Sequence, residues 1–246
     1  GGGISNTGAA DEAVTLMTSF GPVVVWLNGA GSNRQVYARF FTGVTWQELG
    51  PHGASGLGIS QAGAGSDVCD VTVAARAGRV AIAWSQRDAT GIRQIYLREY
   101  AGNSWNELSG SATGAGVSRD IETQFEGVIS HNAKPTLVSH DGGLFLAWQT
   151  FSDQGAAVVA VQYASSSSPW AVRGVFDNLG VPAQPKLVAG VGSLYLIWLQ
   201  TPWDAHAIRL YARRWDGSQF VEEILGDASN AGISWTGGAA QSLSAS

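Results

Sequence analysis

The chain has one cysteine, two lysines and no helical periodicity, and each shortage removes a class of protein. A lone cysteine, Cys69, permits no intramolecular disulfide and rules out zinc sites built on paired cysteines. With Lys134 and Lys186 the only lysines, and a net charge of −5, no concentrated basic surface exists to displace counterions from nucleic acid. No apolar run approaches the roughly 20 residues of a membrane-spanning helix. Charged residues make up 13% of the chain, about half the share in an ordinary soluble domain.

What is abundant points the other way. Hydrophobic residues reach 45%, enough for a full core, so wholesale disorder is excluded. Glycine, at 33, and tryptophan, at 10, are both plentiful. Short strands joined by tight turns give that profile, because turns consume glycine and sheet faces take aromatics. A length of 246 residues suits one large domain or two small ones. The first residue is Gly rather than Met, so a processed or excised segment is the expectation.

Internal repeats organise the chain. "GIS" stands at Gly3, Gly58 and Gly232, with "GVS" at Gly116 and "GVP" at Gly180. A second marker is an apolar strand ending in tryptophan: "PVVVW" at Trp26, "VAIAW" at Trp84, "LFLAW" at Trp148 and "LYLIW" at Trp198. A third is "GVTWQELG" at Trp46, "GNSWNELS" at Trp105, "SSPWAVRG" at Trp170 and "GSQFVEEI" at Phe220. The order holds four times, in repeats of about 3–57, 58–115, 116–179 and 180–231, and residues 232–246 begin a fifth. Each repeat contains four strand-like runs, as in "DVTVAA", "RVAIAW", "QIYLREY" and "WNEL". The expectation is one all-β domain over 1–246, a β-propeller of four-stranded antiparallel blades, with four complete repeats plus the first strand of a fifth. A surplus strand at an open edge predicts self-association.

The last hairpin of each repeat can be registered by residue. Turns centred on Gly43-Val44, Gly102-Asn103 and Gly217-Ser218 set Phe41 against Trp46, Tyr100 against Trp105 and Trp215 against Phe220. The same register sets Arg39 against Glu48, Arg98 against Glu107 and Arg213 against Glu222. Glycine at the first central position predicts a type II′ turn. In the third repeat Tyr163 is expected where Arg stands elsewhere, and Val172 where Glu stands.

The motifs "GGGISN", "VVVW", "IYLREY", "LYARRW", "TWQELG" and "SWNELS" resemble a bacterial β-propeller repeat family of secreted proteins, in which "GGGISN", a strand ending "VAW", "IYVRRW" and "W-x-E-L-G" recur. The resemblance covers nearly the whole chain. It implies a propeller fold and an extracellular or cell-surface location, and it transfers no catalytic residue.

Function is sought where a repeat departs from its own pattern. Loops entering each first strand and loops joining second to third strands should share one face. There the third repeat carries "RDIETQFEGVISHNAKP", with Asp120, Glu122, Glu126 and His131. The fourth carries "QTPWDAHAIR", with Trp203, Asp204 and His206. Amides follow the strand-ending tryptophans at Asn28, Gln86 and Gln200, and Gln149 is adjacent to Trp148. Trp203 and Trp235 fall outside the repeat, in loops on that face.

Two chemistries fit these residues. In the first, the protein is a binding module for a glycan or small polar ligand, using Trp203, Trp235, Asn28, Gln86, Gln149 and Gln200. Amides give sugar hydroxyls paired hydrogen bonds, and an aromatic face gives the ring a platform. In the second, Glu126, His131, Asp204 and His206 hold a divalent metal ion, with Asp120 or Glu122 as general base, in an ester, lactone or phosphoester hydrolase. A third reading is a structural segment of a larger surface protein.

Overall fold

The structure is a computed structural model and describes residues 3–6, 9–118, 131–152, 155–166, 169–177, 180–202, 208–223 and 232–233. The chain divides into two compact units, Gly1–Phe125 and Glu126–Ser246. The start of a fifth repeat, from 234 onward, lies outside the described residues.

The first unit contains two antiparallel sheets of four strands, each a meander in chain order. Blade 1 is β1 (Ala10–Thr18), β2 (Gly21–Asn28), β3 (Gln35–Phe41) and β4 (Trp46–Glu48). Blade 2 is β5 (Cys69–Arg76), β6 (Arg79–Arg87), β7 (Arg93–Ala101) and β8 (Ser104–Asn106). The second unit repeats the plan. Blade 3 is β9 (His131–His140), β10 (Gly143–Ser152), β11 (Gly155–Tyr163) and β12 (Ala171–Phe176). Blade 4 is β13 (Gly180–Gly190), β14 (Ser193–Pro202), β15 (Arg209–Trp215) and β16 (Phe220–Val221).

The hydrophobic alternation puts the strand-ending tryptophans inside. Trp26, Trp84, Trp148 and Trp198 are all buried. Opposite each one, the first strand of the blade carries a bulge that sets two residues against the single tryptophan. The bulged pairs are Glu12-Ala13, Asp70-Val71, Lys134-Pro135 and Gln184-Pro185. The first residue of every pair is left-handed, with φ of 48, 56, 55 and 50°. Glycine is the ordinary choice for such a backbone, and a polar side chain stands there four times. Pro135 and Pro185 are tolerated within strands because a bulge frees the position from the ladder.

The "GIS" and "GVS" markers join one blade to the third strand of the blade before. Ile59 N donates to Val36 O at 2.7 Å, and Ile233 N to Leu210 O at 2.8 Å. The serine completes the link: Ser60 Oγ donates to Gln35 Oε1 and accepts from Val36 N. Ser118 Oγ likewise donates to Gln94 Oε1 and accepts from Ile95 N. The glycine is required by approach as well as by φ. A Cβ at Gly58, Gly116 or Gly232 would lie 2.2–2.4 Å from the carbonyl oxygen of Val36, Ile95 or Leu210.

The hairpin register agrees with expectation in three blades, and every outer hairpin holds an aromatic pair. Centroid distances are 5.3 Å for Phe41–Trp46, 5.4 Å for Tyr100–Trp105 and 5.3 Å for Trp215–Phe220. Blade 3 corrects the assignment of Tyr163. It pairs with Trp170 at 5.2 Å, so it is the aromatic partner and not the replacement for arginine. The Arg–Glu position of that blade is Val161 opposite Val172. Two further details differ from the sequence reading. Gly102 and Asn103 both have positive φ, which makes the blade 2 turn type I′. Arg39 and Glu48 do oppose each other in register, but their charges part. Arg39 Nη1 donates to Ile4 O, and Glu48 Oε2 accepts from Ser55 Oγ.

Candidate functional site in the first unit

The sequence-derived metal set cannot be assembled from the described residues. Glu126, Asp204 and His206 lie outside them, as do Asp120, Glu122, Trp203 and Trp235. His131 is described; it is exposed and opens β9 opposite Phe151. Among the described residues no group of three or more His, Cys, Asp and Glu side chains is placed to hold a metal. No described helix is long and apolar enough to cross a membrane.

The four amides are described, and two of them, Gln86 and Gln200, serve the tryptophans. Trp84 Nε1 donates to Gln86 Oε1 at 2.9 Å, and Trp198 Nε1 to Gln200 Oε1 at 2.8 Å. In blade 3 the acceptor is Asn132 Oδ1, at 2.8 Å from Trp148 Nε1. Gln149 turns instead to the next blade and donates to the Pro182 carbonyl. Blade 1 is the exception. Trp26 Nε1 and Asn28 Oδ1 are both buried and unpartnered. Asparagine is one methylene shorter than glutamine, and its oxygen does not reach the indole. Gln200 Nε2 is the other amide atom here that is buried without a partner.

A polar site that sequence reasoning missed lies where three loops of the first unit meet. The 3-10 turn Gly31–Asn33, between β2 and β3, touches the segment entering β5: Asp67 N donates to Ser32 O at 3.0 Å. That same segment meets the end of β6, where Arg87 N donates to Ser66 O at 2.6 Å. These are the two loop classes expected to share a face. Together they bring Arg34, Arg87 and Arg93 onto a single carboxylate.

Asp67 is that carboxylate. Arg93 Nη2 pairs with its Oδ2, Arg87 Nε lies 3.5 Å from the same oxygen, and Arg34 Nη2 lies 3.7 Å from Oδ1. Arg93 Nη1 also donates to the Asp67 carbonyl at 2.8 Å. Other acids bound the group. Arg34 Nη1 lies 3.4 Å from Glu12 Oε1 and 3.6 Å from Asp11 Oδ2. Glu12 Oε2 accepts from Asp70 N at 2.6 Å, which ties the bulge of β1 to the bulge of β5. Asp70 Oδ2 accepts from Ser85 Oγ at 3.0 Å. Cys69 lies beneath, 2.7 Å from Arg93 Nη1 and 3.0 Å from Ser85 Oγ. Burial pushes its thiol up to about 11, with the Ser85 hydroxyl and the Arg93 charge working in the opposite direction.

Three of the acids, Glu12, Asp67 and Asp70, occupy left-handed backbone, with φ of 48, 49 and 56°. Left-handed residues other than glycine cost on the order of 1–2 kcal/mol and survive only where their surroundings fix them. The available signal was "SNR", "SDVCD" and "SQRDATGIR", three charged stretches in a charge-poor chain. Each looks like a solvated turn alone, and only their convergence makes a site.

No protein-family model matches the chain, and no curated protein matches it. Solved structures do. The Trypanosoma rangeli sialidase in complex with 2,3-difluorosialic acid matches with a TM-score of 0.59 at 14% identity, over 87% of this chain. A Hadza microbial sialidase matches at 0.55 and 12% identity, over 88% of this chain. The fold is that of a β-propeller. Four meander sheets of four strands supply four blades of it. The chain spans 37% of the length of the trypanosomal enzyme and 46% of the microbial one.

Proposed function

We propose that this chain is a glycan-binding β-propeller module that receives its ligand on the loop face of blades 1 and 2. The observation carrying this reading is the concentration of planar, partly exposed hydrogen-bonding groups around Asp67. Arg87 is 45% exposed and Asp67 29% exposed, so solvent and ligand reach them. Adjacent hydroxyls of a sugar match the spacing of two carboxylate oxygens or two guanidinium nitrogens, and bonds to charged groups are the stronger kind. Similarity in fold to sialidases supports a sugar as the ligand class. Asn28 and Gln86, the two half-buried amides of the first unit, are offered as further ligand contacts. An extracellular location belongs to the same proposal.

The test is a glycan array followed by titration calorimetry on any hit, with Arg87→Ala beside the wild type. Saturable binding that weakens about tenfold or more in Arg87→Ala supports the reading, since one charge-assisted bond is worth roughly that factor. An array with no hit sinks it. One divalent ion per chain in a native mass spectrum, lost on His206→Ala, would put the metal-assisted hydrolase in its place.

A further inference from the structure

The convergence of Arg34, Arg87 and Arg93 on Asp67 has a consequence for which sugars the face admits. Three guanidinium groups aimed at one point make an anion site, and in this protein the anion is supplied by the chain. We propose that Asp67 is a built-in carboxylate ligand of this three-arginine clamp, and that it makes the face select neutral sugars over carboxylated or sulfated ones. The proposal rests on the glycan reading above and names its ligand class.

Asp67 is held by its backbone as well as by its carboxylate. Its backbone N–H bonds Ser32 O and its carbonyl accepts from Arg93, one hydrogen bond on each side of its left-handed φ of 49°. Aspartate is among the few residues besides glycine that visit this conformation, so the backbone and the carboxylate are satisfied by one residue. An ion pair exposed to water adds little stability, so folding alone gives small return for three arginines gathered on a partly exposed acid.

The surrounding charge points the same way. Asp11, Glu12 and Asp70 sit beside the clamp, so three guanidinium groups face four carboxylates. An incoming sugar carboxylate or sulfate would have to expel Asp67 and then remain among three more acids. A neutral sugar has only to share the exposed edges of Arg87 and Asp67, which keep hydrogen-bonding capacity toward solvent. The clamp therefore excludes anions although it is built of arginines.

Asp67→Asn is the direct test, because asparagine keeps the size and the tolerance of left-handed backbone while removing the charge. Inorganic sulfate and glucuronate are titrated into wild type and variant, following the arginine Nε–H signals by NMR. Wild type should show no saturable shift with either probe. Asp67→Asn should bind both, at least about tenfold more tightly than any residual effect in wild type, and Asp67→Asn/Arg93→Gln should lose the gain. Saturable sulfate binding by wild type overturns the proposal, as does a folded Asp67→Asn that ignores sulfate. If Asp67→Asn is unfolded in dilute buffer, refolding on addition of sulfate supports the clamp, and failure to refold counts against it. A sulfate gain in a protein that binds no neutral sugar would remove the glycan reading and leave the role of Asp67 standing.

Discussion

Blades 1 and 2 are assembled from the same parts, yet the tryptophan at the centre of each is served differently. In blade 2 the Trp84 indole donates to Gln86, whereas in blade 1 the Trp26 indole and the Asn28 oxygen are both buried and unpartnered. The same contrast runs along the first strands. Most of β1 is exposed, while β5 is half-buried or buried throughout. Blade 2 thus gives its tryptophan an acceptor, and blade 1 leaves both the indole N–H and the neighbouring amide oxygen without a partner. A repeat fixes which side chains meet; a single methylene decides whether they bond.

The largest effect expected is from truncating the tryptophan that is fully served. Trp84→Ala should cost about 3–5 kcal/mol in chemical denaturation, since it empties a buried volume. Trp26→Ala should cost less, because its indole N–H contributes no hydrogen bond to lose. Equal losses would break the comparison.

Cys69 comes next, as a rate. With its thiol at about 11, alkylation at pH 8 should run about a hundredfold slower than for a free thiol, because only the thiolate reacts. The rate should keep rising toward pH 11, since a raised value delays loss of the proton. A plateau near pH 9 would show that burial does not hold the proton on.

The sharpest test of the difference between the blades is a repair. Asn28→Gln should give Trp26 the acceptor that Trp84 has, stabilising the protein by about 0.5–1.5 kcal/mol. The reverse change, Gln86→Ala, leaves an indole N–H buried without a partner and should destabilise by about 1–3 kcal/mol. A destabilising Asn28→Gln would mean that blade 1 cannot accommodate the longer amide.

The smallest effect concerns the outer hairpin. A double-mutant cycle on Phe41 and Trp46 should yield a coupling of about 0.5–1.5 kcal/mol. The cycle on Arg39 and Glu48 should fall near the low end of about 0.2–1 kcal/mol, because the two charges bond elsewhere. A larger coupling for the charged pair would reverse the ranking.

Much of the fold was legible because the repeat states it four times. The "GIS" glycine, the strand-ending tryptophan and the W-x-E-L hairpin each follow from a local demand: a close approach to a carbonyl, a buried face, a tight turn. Blade 3 shows the limit of that reading. Around Tyr163 the sequence misleads, because "SSSSP" offers no glycine to fix the turn, and the register shows only in the structure, where Tyr163 meets Trp170 in a tilted aromatic pair. The bulges were invisible for a related reason. Glu12, Asp70, Lys134 and Gln184 differ in kind, and none is the glycine that would advertise a left-handed residue.

By itself, then, the sequence determined the four-stranded meander, its count of repeats and the burial of one tryptophan per blade. Those depend on alternation and turn residues that lie close together in the chain. The meeting of Arg34, Asp67, Arg87 and Arg93 was decided only by the tertiary structure. Three loops from two blades must converge to create it, and no local pattern encodes a distance between residues that far apart. Whether an arginine is free or already neutralised is a property of that convergence, and it sets what the face can bind.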